Sequence, residues 1–299
     1  MLSPRARRPV LLIVGCGDVG LRVLAQARPR WRVIALTSSP QRVAVLRAAG
    51  AVPLMGNLDD EASLGRLAGL ADAVLHLAPP PGQGDTDPRT RALLAALARG
   101  RPPRRLVYAS TSGVYGDAQG ARFDETRAVA PSTARAWRRV DAECQVRWFG
   151  RAFGVTACVL RVPGIYALDR AGGDPRERLQ RGAPLLAPED DVFTNHIHAD
   201  DLARACVAAL QRGAAQRIYH ASDSSELKLG EHFDAVADAF GLARAPRLPR
   251  ALLAQQVSAL QMSFLSESRR LDNDRLLREL HVRLAYPTPA AAWASAKRA

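Results

Sequence analysis

LLIVGCGDVG, running from Leu11 to Gly20, sets four apolar residues in front of Gly15, Gly17 and Gly20 at G-x-G-x-x-G spacing. With no polar alternation, Val10 to Val14 suits a strand buried on both faces, as in a parallel sheet covered by helices. Gly15 then permits the tight turn out of the strand, Gly17 removes a side chain where a pyrophosphate must approach the backbone, and Gly20 allows close packing of the next helix. The N–H groups at the start of that helix, around Asp18 and Val19, point at phosphate. A glycine turn alone is weak. Here a strand precedes it and an amphipathic helix (Val19, Val23, Leu24) follows, which is the context a dinucleotide site requires.

Downstream of this turn the chain alternates strands and helices. Trp31 to Leu36 (WRVIAL) is a second strand, followed by Thr37, Ser38, Ser39 and Arg42. An acid at this strand's end would bind a ribose 2′-hydroxyl and repel a 2′-phosphate, and none is there. Hydroxyls at Thr37 and Ser38 with the guanidinium of Arg42 suit a 2′-phosphate, so NADP is expected over NAD. Ser39 before Pro40 also reads as an ordinary helix cap, which is compatible with phosphate binding. The helix Gln41 to Ala49, a strand Ala51 to Leu54, and GNLDD (Gly56 to Asp60) come next. A helix with Leu64, Leu67 and Leu70 on one face precedes the strand Ala73 to Leu77 (AVLHL), which closes on Ala78 and Pro79 to Pro81. The polar loop Gly82 to Asp85 is either a lid or a surface connection. A helix from Pro88 to Arg99 leads to a fifth strand, Arg105 to Ala109. Five alternations give a doubly wound parallel sheet.

Three hydroxyls, Ser110, Thr111 and Ser112, follow the fifth strand. They either hydrogen-bond a substrate carbonyl or hydroxyl or simply cap the strand end, and their position favours the former. Gly154 to Arg161 is a sixth strand, with Pro163 to Tyr166 at its carboxyl end. The segment from Ala167 to Asp191 falls outside the strand–helix rhythm and suits a substrate-covering insertion. In Val192 to His198 (VFTNHIH) two histidines stand two apart; no metal site is expected there, and one histidine near the substrate is the reading preferred. Asp200 and Asp201 start the helix Leu202 to Leu210, and Gln216 to Ala221 is the last strand. Helices near Leu229 to Phe240 and Leu271 to Leu280 form a small lobe. Gln261 to Arg270 either covers the active site, with Arg269 and Arg270 as anion ligands, or lies on the surface.

Composition narrows the class. The chain of 299 residues is 47% hydrophobic, enough for a large core. No apolar run reaches the roughly 18 residues of a membrane span, and the leader Met1 to Pro9 carries Arg5, Arg7 and Arg8 without an apolar core, as a disordered basic tail does. Cys16, Cys144, Cys158 and Cys206 have neither disulfide nor zinc spacing, which fits a reducing cytoplasm. The net charge of +13 is almost all arginine, since Lys228 and Lys297 are the only lysines. The arginines are dispersed, with no run of five or six like charges. A solvated basic surface or attraction of small anions is therefore expected, not nucleic-acid or membrane binding.

G-x-G-x-x-G, the strand ending HLA (His76 to Ala78), STSGVYG (Ser110 to Gly116), LRVPGIYA (Leu160 to Ala167) and NHIHADDLA (Asn195 to Ala203) come in the order of the extended short-chain dehydrogenase/reductases. From about Val10 to Ser222 the chain resembles that superfamily, which includes the NAD-dependent epimerase/dehydratases. The resemblance implies a Rossmann fold, puts Thr111 at the catalytic Ser/Thr position, and places Asn57 and Leu58 beside adenine. It sets Leu77, Ala78, Pro79 and Ser110 along the cofactor, and Pro163 and Ile165 past the nicotinamide. Ser112, Tyr166, Asn195 and His196 become substrate candidates.

The departure is in the chemistry. The family's tyrosine and lysine form Y-x-x-x-K, the lysine lowering a tyrosine pKa that is otherwise near 10. Four residues after Tyr108, Tyr115, Tyr166, Tyr219 and Tyr286 stand Ser112, Gln119, Arg170, Asp223 and Ala290, so the pair is missing. By resemblance the helix that should carry the pair is Arg135 to Arg147, since the family often has a Glu four residues past the lysine. Counting back from Glu143 puts Arg139 at the lysine position, able to contact ribose, and Arg135 at the tyrosine position, where it stays protonated. The chain thus resembles an atypical branch. Thr111, Tyr115, Tyr166 or His196 replaces the tyrosine, or Arg135 binds an anionic substrate, or the dinucleotide is bound without catalysis.

The expectation is an α/β protein: a Rossmann doubly wound parallel sheet over 10–166 and 196–222, with a small C-terminal substrate lobe over 167–195 and 223–299. Its function is that of an NADP-preferring oxidoreductase or epimerase-like enzyme for a small anionic or sugar-like substrate, monomeric or homodimeric. The alternative is a dinucleotide-binding sensor.

Overall fold

The computed structural model describes residues 8–296; most of the expected disordered tail, residues 1–7, lies outside them. Seven strands form one sheet: β1 Val10–Val14, β2 Arg32–Thr37, β3 Val52–Met55, β4 Ala73–His76, β5 Arg105–Thr111, β6 Thr156–Val162 and β7 Ile218–His220. Their order across the sheet is β7-β6-β5-β4-β1-β2-β3. The pairs β1–β2, β1–β4, β2–β3 and β4–β5 are parallel, with Ile13 opposite Ala35 on one side and Leu75 on the other. Strand order therefore reverses beside β1, and ligands of such sheets bind in the crevice at that switch point. All five residues of β1 are buried, as an apolar run flanked by two strands and two helical layers demands. Each such side chain contributes about 1.5–3 kcal/mol.

The helices α1 Asp18–Ala27, α2 Arg42–Ala48, α3 Pro88–Ala98, α4 Ala134–Ala152 and α5 Ala199–Arg212 connect or follow these strands. Two differ from the sequence expectation. The element carrying Leu64 and Leu67 is a 3₁₀ helix, Glu61–Leu67; a leucine spacing of three matches its three residues per turn better than an α-helix. Ser39 does not cap α2: the residue before the helix is Gln41, and the Ser39 hydroxyl bonds Gln41 Oε1 at 2.8 Å.

The chain divides into two compact units, Met1–Ser110 with Trp137–Leu160 and Ala203–Ile218, and Thr111–Ala136 with Arg161–Leu202 and Tyr219–Ala299. The second unit thus takes in Thr111–Ala136 and the ends of later strands. Within the first unit, Leu12, Leu36, Leu93, Tyr108 and Phe149 belong to one buried cluster. Within the second, Gly164–Tyr166 pairs in parallel with His196–His198, and Tyr166, Phe233, Val236 and Trp293 pack together. The expected helix near Leu271 to Leu280 is only Asp274–Arg278. Arg270 and Leu271 instead pair with Arg122 and Phe123 as two short parallel strands. Among the described residues no helix is long and apolar enough to cross a membrane.

Candidate functional site

In the first unit a cavity of about 470 Å³ is lined by segments that follow β1, β2, β3 and β4. Gly15 and Gly17 supply the β1 turn. Gly15 has φ +85°, and a Cβ there would stand 2.4 Å from Ala78 N, so only glycine lets the turn lie against the end of β4. Gly17 precedes α1, and a Cβ on it would meet nothing within 4 Å. That open space is what a backbone facing a pyrophosphate needs, so the cradle fits a dinucleotide. Gly20 fits tightly against the turn itself, where a Cβ would come 3.1 Å from Cys16 Sγ. Asp18 and Val19 do not line the cavity. The Asp18 carboxylate is engaged along the helix by Arg22 at 3.3 Å, so these two residues offer the backbone N–H groups of the helix start.

After β2, Thr37, Ser38 and Arg42 line the same cavity. Arg42 Nη2 donates to Cys16 O at 2.7 Å, so the guanidinium also braces the glycine turn. Burial pushes the Cys16 thiol up to about 11, so it is a packing group and not a nucleophile. Asn57 and Leu58 line the cavity after β3, and Asn57 Oδ1 accepts from Asp59 N at 3.1 Å. Leu77, Ala78 and Pro79 close it after β4. Sequence reasoning missed the Asp59–Arg89 pair: Arg89 Nε and Nη2 each reach the carboxylate at 2.7 Å, and Arg89 Nη1 donates to Pro79 O at 3.3 Å. The partners are 30 residues apart, and no local pattern joins them.

His76 beneath this cavity is fully buried, with Nε2 2.9 Å from Thr90 Oγ1; burial drives its pKa down to about 3, so it is neutral. Ser110 is buried and its Oγ has no hydrogen-bond partner among the described residues. Arg139 donates Nη1 to Tyr108 Oη at 3.0 Å and to Ala109 O at 2.9 Å. It is fixed to the end of β5 and does not line the cavity.

A second cavity, about 330 Å³, lies within the second unit. Thr111, Ser112 and Arg135 line it together, along with Pro163, Ile165 and Asn195. Gly116 positions the hydroxyls: its φ is +61°, and a Cβ would stand 2.3 Å from Ala130 O, so the turn after Thr111 closes against that segment only with glycine. Thr111 Oγ1 accepts from Gly113 N at 3.2 Å, a bond that uses an oxygen lone pair and leaves the hydroxyl proton to be donated. Arg135 lies over the Phe264 ring, its Cζ 4.2 Å from the centroid. Asn195 acts as a clamp, Nδ2 donating to Arg269 O at 2.9 Å and Oδ1 accepting from Leu271 N at 2.8 Å. Of the two arginines ending Gln261 to Arg270, Arg269 lines the cavity, while Arg270 turns to Glu226 and the Phe193 ring.

Three candidates are not in this cavity. Tyr115 is fully buried, its hydroxyl 2.6 Å from His220 Nε2 and its ring beneath Arg161 at 4.6 Å. It is a core tyrosine and does not line this cavity. Tyr166 is buried among His198, His232 and Trp293, and burial with nearby Asp223 pushes its hydroxyl far above the usual range. His196 stacks on His232 at 4.0 Å, and burial lowers its pKa to about 4. A motif position in the chain does not reveal that a side chain points inward. Among the described residues no group of three His, Cys, Asp or Glu could hold a metal ion.

The sequence model of the NAD dependent epimerase/dehydratase family matches residues 12–222. A curated relative, dTDP-glucose 4,6-dehydratase of Mycolicibacterium smegmatis, is 31% identical over 171 residues, which is 50% of this chain and 51% of that protein. The matched stretch therefore spans about half the length of the relative. Among solved structures, a conserved protein of unknown function from Silicibacter pomeroyi superposes with a TM-score of 0.79 at 28% identity, covering 97% of this chain and 98% of that one. UDP-glucose 4-epimerase of Thermotoga maritima gives 0.75 at 17% identity, covering 97% and 99%, a likeness of fold.

Proposed function

The chain belongs to the NAD-dependent epimerase/dehydratase family, and on that premise we propose that it is an NADP-preferring oxidoreductase or epimerase-like enzyme for a small anionic or sugar-like substrate. Gly15, Gly17 and the first N–H groups of α1 hold the pyrophosphate; Thr37, Ser38 and Arg42 hold a ribose 2′-phosphate; Asn57 and Leu58 flank the adenine. When bound, the nicotinamide supplies or accepts hydride. Ser110, Arg139, Pro163 and Ile165 are assigned to its side of the cofactor. Thr111 donates a hydrogen bond from its hydroxyl to the reacting oxygen, and Arg135 stands where the family has its tyrosine. The protein is placed in the cytoplasm as a monomer or homodimer acting on a small molecule, without nucleic acid or membrane as partner.

The observation that carries this reading is the shared lining of one cavity by Thr111, Ser112 and Arg135. A second reading, a dinucleotide-binding sensor, is favoured by a specific feature of the same cavity. Among the described residues its lining holds no tyrosine, histidine, lysine or cysteine, the side chains that most often serve as a general acid or base near neutral pH. Nicotinamide absorbance during incubation with carbonyl and hydroxyl compounds separates the two. The enzyme reading expects turnover that falls about 100-fold in Thr111→Ala with NADP affinity unchanged. Tight NADP binding without any turnover selects the sensor.

A further inference from the structure

Where the parallel strands β1, β2 and β3 begin, at the end of the sheet away from the glycine turn, the first unit has another hollow of about 380 Å³. Arg8, Arg28 and Arg32 line it together with Trp31, and among the described residues no carboxylate does. Strand β2 runs from Arg32 at this hollow to Thr37 at the glycine-turn cavity, about 17 Å at the rise of an extended chain. The two are separate places on one unit.

The three arginines are held by main chain, not by acids. Arg28 Nη1 donates to Ala49 O at 3.2 Å, and Arg8 Nη1 lies 3.5 Å from Arg28 O. Both carbonyls belong to helix C-caps, those of α2 and α1. A helix end carries at most about half a negative charge, so two of them offset about one of the three positive charges and leave about two. Asp72, across β1 from Arg32, is already occupied by Val10 N at 2.9 Å and Arg101 Nη2 at 2.8 Å. Gly50 seats the Arg28 guanidinium: its φ is +91°, and a Cβ there would stand 2.6 Å from Arg28 Cζ. One N–H of that group reaches Ala49 O, and the rest of its fork is left for a ligand.

A net charge of about two positive units on guanidinium forks matches a doubly charged phosphate monoester, whose oxygens accept paired N–H groups. Trp31 adds a second kind of contact. Its main chain is tied to α1 by Trp31 N donating to Ala27 O at 3.0 Å, and its half-buried side chain lines the hollow. Among the described residues no other ring or cation lies on it, and an indole face suits a stacked base. We propose that this hollow is a mononucleotide site, with the phosphate on Arg8, Arg28 and Arg32 and the base on Trp31. A volume of 380 Å³ is in the range of small-ligand pockets. The proposal is independent of the cofactor assignment, because it uses none of the same residues.

Calorimetric titrations of the full chain with guanosine 5′-monophosphate, guanosine and inorganic phosphate test it; guanine is chosen because an adenine nucleotide would also suit the glycine-turn cavity. The monophosphate is expected to bind more tightly than phosphate, and guanosine not at all. Arg32→Ala should weaken both phosphorylated probes about tenfold. Trp31→Leu should weaken the monophosphate about tenfold and leave phosphate as it was. Melting curves report folding, and Arg8→Ala, at an exposed position before β1, repeats the arginine test should Arg32→Ala not fold. NADP affinity should be the same in wild type and Arg32→Ala. The proposal is overturned if the monophosphate does not bind, binds no more tightly than phosphate or guanosine, or binds the arginine variants as it binds wild type. It is overturned equally if Arg32→Ala weakens NADP as much as the monophosphate, which would put both in one site. Failure of NADP to bind wild type counts against the cofactor assignment and leaves the guanosine monophosphate titrations to decide this one.

Discussion

Gly15→Ala is expected to abolish dinucleotide binding and to cost about 2–5 kcal/mol of stability, the sum of a left-handed non-glycine backbone and an overpacked contact. The added methyl would stand 2.4 Å from Ala78 N, 2.6 Å from Ala78 Cα and 2.9 Å from Leu77 C, all main-chain atoms. No side chain can rotate away to relieve this. The end of β4 must move off the turn, and Leu77, Ala78 and Pro79 are themselves cavity lining. Gly17→Ala is the contrasting case. Its φ of −81° is open to any residue and its Cβ would meet nothing within 4 Å, so melting should be close to wild type. Dinucleotide affinity should still fall, by about 100-fold, because the methyl occupies the approach of the pyrophosphate. Calorimetric melting and NADP titration of both variants check the pair. Equal affinity in wild type and Gly17→Ala would remove the pyrophosphate from this turn.

Asp223→Asn is expected to stabilise the protein above neutral pH and to change little in acid. Asp223 is 2% exposed; one oxygen accepts from Ser225 N at 3.0 Å and Ser225 Oγ at 2.6 Å, and Oδ2 has no partner among the described residues. Burial raises its pKa from 3.8 to about 7, the Ser225 hydrogen bonds opposing the shift and Asp201 adding to it. Between those values the folded chain holds a proton that the unfolded chain has released. This group's stabilisation is therefore present in full below about pH 4 and is lost as pH rises to about 7, on the order of 4 kcal/mol in all. Asparagine keeps a neutral side chain throughout, so the variant should gain about 2–4 kcal/mol at pH 8 and nearly nothing at pH 4. His196 and His220, both lowered to about 4 by burial, act the other way, since their contribution is present above their ordinary 6.5 and lost toward 4. They are common to both proteins and cancel in the difference. A variant that melts below wild type at pH 8 would show that the buried carboxylate is favourable as an anion.

Much of the first unit was legible in the sequence because its signals are local. An apolar run, three glycines and a helix periodicity all lie within Val10 to Ala27, and the absence of an acid after Leu36 is read from a few residues. Those signals single out Thr37, Ser38 and Arg42, and these three side chains share one cavity. What was not legible depends on pairing across distance. Arg42 reaches back 26 residues to Cys16 O, and Arg89 reaches 30 residues to Asp59. In the second unit the strands are two or three residues long, too short for a period to show. Tyr115, Tyr166 and His196 sit in motifs at suitable places in the chain, yet their side chains turn inward toward His220, His198 and His232. Arg135, by contrast, was found by counting along a helix, and it does line a cavity with Thr111.

The cofactor assignment is tested most directly by calorimetric titration of the full chain with NADP and NAD. One dinucleotide per chain is predicted, with NADP about tenfold tighter than NAD and that preference lost in Arg42→Ala, because on the proposed assignment the guanidinium binds a 2′-phosphate that NAD lacks. Binding of neither dinucleotide to the folded chain, or a preference for NAD that Arg42→Ala leaves untouched, would contradict it.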